Sequence, residues 1–165
     1  MAELTNLESK LGEVVGLAMA AQAATKKVAT LARADKRPGL VAVLEKMNAE
    51  AKEAEQRGHA IAETFEGKKS AILGEAREVK KKAGEMMSTY LDPDADALDG
   101  FEFLTMAEAA EVGHWSVLQT LNESAGNGEL RELVSWVLPI QERHLEEALQ
   151  GSRKLAAAQD PHEPA

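Results

Sequence analysis

Two short connections separated by one long one constrain this chain more than any single residue does. Apolar residues recur every three or four positions in Leu4, Leu7, Leu11, Val14, Ala18, Ala21, Val28 and Leu31, which predicts an amphipathic helix of about 30 residues. It stops near Arg33–Pro38, where Pro38 suits the first turn of a second helix. That helix carries Val41, Leu44, Met47, Ala51, Ala54, Gly58, Ile61 and Phe65 and ends at Gly67. A shorter helix is predicted over 68–90, with Ile72, Leu73, Ala76, Val79, Ala83, Met86, Met87 and Tyr90 on one side. Asp92–Gly100 reads as a loop, rich in Pro, Gly and turn-forming acids. The next helix carries Phe103, Ala107, Ala110, Glu111, His114, Leu118 and Leu121, and Ser124–Gly128 breaks it. The last carries Leu130, Leu133, Val137, Gln141, His144, Ala148 and Leu155, with Pro139 expected to kink it.

Abundant Ala, Glu, Leu and Lys with few aromatics favour helix throughout, so the expected class is all-α. The expected organisation is one bundle over residues 1–158 and a disordered, proline-containing tail over 159–165. The 28 acidic and 19 basic residues give a net charge of -9, which argues against a nucleic-acid partner. No apolar run reaches the length of a membrane span, no secretion signal opens the chain, and cysteine is absent. These features point to a cytoplasmic protein without a membrane partner, and they exclude thiol and cysteine–metal chemistry. No phosphate loop, dinucleotide fingerprint or Ser-His-Asp set is present; Gly126-Asn-Gly128 lacks the strand and lysine of a P-loop.

Three of the four histidines, His59, His114 and His144, fall on three different predicted helices. His114 closes Glu111-Val-Gly-His114, which sets a carboxylate and an imidazole on one face. Both lie on the apolar stripe, where a carboxylate needs a partner or a metal. His144 sits near Gln141, Glu142, Glu146 and Glu147. Counting rise from the turn between the last two helices puts Glu111 level with Gln141, Glu142 and His144. Across the bundle Glu50 and Glu53 are level with Glu111, whereas His59, beside Glu55, lies about a turn away. The first helix offers Met19 and Gln22 at that level, unless Glu13 reaches in from another. Each of these side chains could equally make an ordinary hydrogen bond or surface ion pair. Trp115 and Trp136 read as core volume, Lys80–Lys82 as a wet face.

Two helical hairpins joined by a connection as long as the bundle are the topology of ferritin-like folds. The chain resembles that superfamily, and within it the rubrerythrin-related YciF-type bacterial stress proteins, through Val28–Ala34, Val112–Leu121 and Gln141–Glu147. The resemblance implies a ferritin-like four-helix bundle with an extra crossover helix, and a di-iron-type site with Glu on the first helix and Glu-x-x-His on the second. Here those positions hold Ala21 and Glu50-Ala-Lys-Glu53. The candidate metal ligands are therefore Glu111, His114, Glu142 and His144, with Glu50, Glu53, Glu55 and His59 from the first hairpin. The expected cofactor is iron or manganese, turning over oxygen or peroxide. The alternative is a metal-free bundle with no cofactor, acting as a structural or stress-associated interaction protein. A homodimer through Met86, Met87 and Tyr90 is expected in either case.

Overall fold

The computed structural model describes residues 2–164, and among them every regular element is a helix. The helices are α1 (Asn6–Ala34), α2 (Pro38–Thr64), α3 (Lys69–Tyr90), α4 (Ala97–Ala125) and α5 (Gly128–Ala156). Thr5 starts α1 through a capping box with Glu8, satisfying two of the free N–H groups at the helix end. Pro38 stands in the first turn of α2. The predicted loop Asp92–Gly100 is shorter than its composition suggests, because Asp96 caps α4 and Asp99 returns the capping bond, so the helix has begun by Ala97. Gly126, in the left-handed conformation at φ 69°, closes α4, and Asn127 caps α5 from the next position. Asn122 holds that turn by bonding both backbone groups of Asn127. Helix α5 runs through Pro139 as one element.

Contacts fix the helix directions. Gln22 meets Glu55 and Arg33 meets Glu45, so α1 and α2 are antiparallel. Asp35 accepts from the Ala97 N–H at one end while Glu13 meets His114 at the other, so α1 and α4 are antiparallel as well. Helix α5 runs antiparallel to α4, with Gly151 against Phe101 and Gln141 against Glu108. It is also antiparallel to α2, with Arg143 on Glu50 and the Arg57 guanidinium 4.0 Å from the ring centre of Trp136. The pairs α1–α5 and α2–α4 lie on the diagonals. Helices α2 and α4 are thus parallel, and the 65–96 segment, including α3, spans the length between them.

Helix α3 lies mainly on α1, over Gly12 and Gly16. A Cβ at Gly12 would stand 2.7 Å from the Ile72 carbonyl oxygen, and one at Gly16 would stand 2.4 Å from that of Ala76. The two glycines, one turn apart, let the α1 and α3 backbones approach. The buried residues form two apolar clusters. One is built around Leu11, Val14, Val15, Ile72, Trp115, Leu118 and Leu130, the other around Val28, Leu44, Met47, Phe101 and Leu104. Between them, at mid-bundle, lies a layer of polar side chains. No helix of the described residues is long and apolar enough to cross a membrane.

Candidate functional site: a buried carboxylate–histidine cluster

Helix α4 builds one half of the polar layer. Its buried stripe is Phe101, Leu104, Glu108, Glu111, Trp115, Leu118 and Asn122, spaced three and four apart, so two glutamates take places that the period assigns to the core. Helix α5 supplies Gln141 and His144 from its own stripe, and α2 supplies Glu50. His144 is 1% exposed and sits between two carboxylates. Its Nε2 is 3.3 Å from Glu50 Oε2 and its Nδ1 is 3.6 Å from Glu108 Oε2. Gln141 donates from Nε2 to Glu108 Oε2 at 3.2 Å. Arg143, one residue before His144, reaches Glu50 from the outer side and also donates to Glu147 at 3.4 Å.

Two polar atoms of this cluster are buried without a hydrogen-bond partner: His144 Nε2, whose contact with Glu50 lacks hydrogen-bonding alignment, and Glu50 Oε1. Lys46 approaches Glu50 Oε1 only to 4.0 Å. A buried polar atom left unpaired costs about 1–3 kcal/mol, so two side by side require a physical reason.

Glu111 lies one turn beyond Glu108 and is 4% exposed. Burial, reinforced by the negative charge of Glu108, holds its carboxyl well above the usual carboxylate range. The indole N–H of Trp115 lies near enough to oppose this slightly, yet meets no acceptor in hydrogen-bonding geometry. Glu108 and Glu111 also form part of the wall of a cavity of about 190 Å³ between α1, α3 and α4. The rest of that wall is almost entirely alanine, methionine, leucine and phenylalanine.

The structure divides the predicted ligands. Glu50 and His144 meet, and Glu111 stands in the adjoining layer. His114 does not join them: its side chain is 41% exposed and its Nδ1 lies 3.1 Å from Glu13 Oε2, with Lys10 Nζ at 3.3 Å. Glu13 therefore serves His114, more than a turn from the cluster. Glu53 faces outward to Arg57, and Glu55 accepts from Gln22. His59 lies on the surface of α2 beside Glu55 and Glu63, and Glu142 is exposed. Level counting set Glu50 at the height of Glu111; in the structure Glu50 meets His144, and the α4 residue beside that imidazole is Glu108, not Glu111. Helix α1 brings Ala20, Ala21 and Ala24 to the wall beside Glu108 and Glu111, and no carboxylate. Among the described residues no three His, Asp or Glu side chains stand together in metal-holding geometry.

Glu108 and Arg143 are the members that the sequence reading missed. Glu108 is three residues from Glu111 and four from Leu104, and a stripe begun at Phe101 rather than Phe103 contains it. No protein-family model, curated protein or solved structure matches this chain. Among the described residues the fold is all-α, with five helices and a buried carboxylate–histidine layer at mid-bundle.

Proposed function

We propose that this chain is a ferritin-like bundle protein whose mid-bundle cluster closes on a single divalent ion, iron or manganese, by drawing Glu50, Glu108 and His144 together from spacings at which they do not by themselves form a metal-holding group. The observation that carries this reading is the pair of unpartnered buried atoms, His144 Nε2 and Glu50 Oε1, beside a second carboxylate. Imidazole nitrogen and carboxylate oxygen are the donors such ions take. The two-hairpin order, with α2 parallel to α4, agrees with the ferritin-like arrangement.

A two-metal centre does not fit these residues. It requires carboxylates from all four long helices and a second inward histidine. Here α1 brings alanines, α5 brings Gln141 where a glutamate would serve, and His114 is turned towards Glu13. In the single-ion reading Gln141 would orient Glu108 through its amide, and Glu50, now held by Arg143, would be the carboxylate from the first hairpin. A bound iron or manganese ion would supply open positions for oxygen or peroxide.

A second, metal-free reading is favoured by Arg143, which already neutralises Glu50 from the outer side. In that reading the chain is a structural or stress-associated interaction protein. Metal analysis of protein purified without chelator and then equilibrated with Mn(II) or Fe(II) separates the two. One ion per chain, lost in His144→Ala and in Glu50→Gln, supports the single-ion site. Background metal in the parent chain supports the metal-free bundle.

A further inference from the structure

Apart from Glu108, the wall of the cavity between α1, α3 and α4 enters neither reading. Leu17, Ala24, Ala83, Met87 and Phe103 make its wall apolar, and the charged residues on it are Glu108, Glu111 and Lys80. Glu111 is more than nine-tenths buried, and among the described residues its carboxyl takes part in no ion pair. Glu108 adds a second acid to the same wall, and Lys80, an exposed residue, also lines it. At about 190 Å³ the space suits an aromatic ring or a short alkyl chain, since an apolar cavity of about 150 Å³ holds benzene.

From this geometry we infer that the cavity binds a small organic ammonium ion, its charged head on Glu111 and its apolar body against the alanine and methionine wall. Charge complementarity selects this class. A carboxyl group buried in an apolar recess keeps its proton until a cation takes the proton's place, so it is matched by a ligand that brings both a positive head and an apolar body, the Glu111 proton leaving to solvent as the ammonium docks. The net charge of -9 draws cations towards the surface and repels anions of the same shape. A neutral apolar molecule would leave Glu111 unpaired, and an anionic one would oppose both acids. The two sites share Glu108, but the ammonium is held by Glu111, which is not one of the three proposed metal ligands, so loss of ammonium binding in Glu111→Gln is distinguishable from loss of metal.

Isothermal titration of the full chain with n-hexylammonium, 1-hexanol and hexanoate tests this directly. The expected order is hexylammonium about tenfold or more tighter than hexanol, with no binding of hexanoate. Glu111→Gln should bring hexylammonium down to the affinity of hexanol and leave hexanol unchanged. Ala107→Leu, which fills the cavity from its wall, should abolish binding of both, and it provides the test if the Glu111 variant does not fold. Equal affinity of the alcohol and the ammonium would overturn the inference, as would unchanged ammonium affinity in Glu111→Gln. So would silence towards every probe from a chain that sediments as a dimer. In that case a second copy, seated over the exposed Met86 and Met106 at the rim, is the occupant of this face.

Discussion

Two histidines on neighbouring helices show how far a residue's role depends on the direction of one bond. His144 and His114 both carry neighbouring acids in the sequence, yet one is sealed between Glu50 and Glu108 and the other leans into solvent against Glu13. His144→Ala should lower unfolding stability by on the order of 3 kcal/mol, from the lost packing and the stranded carboxylates. His114→Ala should cost no more than about 1 kcal/mol, as for an exposed pair. Urea titrations of the two variants check the contrast. Glu111 carries a distinct signature. Its folded state holds a proton more tightly than the unfolded chain does, so the folded state binds more protons wherever the unfolded carboxyl has ionised. Stability is therefore greatest below the ordinary value near 4.5 and falls as pH rises through it towards the higher folded value. Glu111→Gln should flatten that decline and stabilise the chain at neutral pH by on the order of 1 kcal/mol. Denaturation curves across the acidic to neutral range read it out. Which glutamates face inward was legible only where the stripe was read in the right phase. The stripe drawn from Phe103 held Glu111 together with the outward-leaning His114; the one drawn from Phe101 holds Glu111 together with Glu108.

At the scale of elements, the sequence reading anticipated the five helices because their periods are strong and their ends carry ordinary signals. Its misplacement of the start of α4 arose at Asp96. An acid in a Pro- and Gly-bearing segment resembles loop chemistry until its bond to the Asp99 N–H is seen to cap a helix. The role of Gly12 and Gly16 was not legible at all, because a glycine in a helix gives no sign of which neighbour approaches it. Their cause is the seat of α3, whose carbonyl oxygens stand where side chains would be. Gly16→Ala should therefore push α3 from α1, with a loss of about 2 kcal/mol or more despite alanine's better helix propensity. Gly84→Ala, further along α3 at the wall of the cavity and with open space around it, should be neutral or slightly stabilising. Hydrogen exchange of α3 amides in the two variants distinguishes local loosening from a change in the whole fold.

Taken whole, the molecule keeps its polar groups in one layer between two apolar clusters, and that layer joins both hairpins. Glu50 belongs to the first hairpin, and Glu108 and His144 to the second, so anything that draws them together couples the halves of the bundle. An ion held there adds its binding free energy to folding. The most direct measurement is the melting temperature of chelator-treated protein with and without added Mn(II), taken together with metal content. A single-ion site gives a concentration-dependent rise that saturates at one ion per chain and disappears in His144→Ala. An unchanged melting temperature with no retained ion would contradict it and leave the Arg143–Glu50 pair as the cluster's own neutralisation.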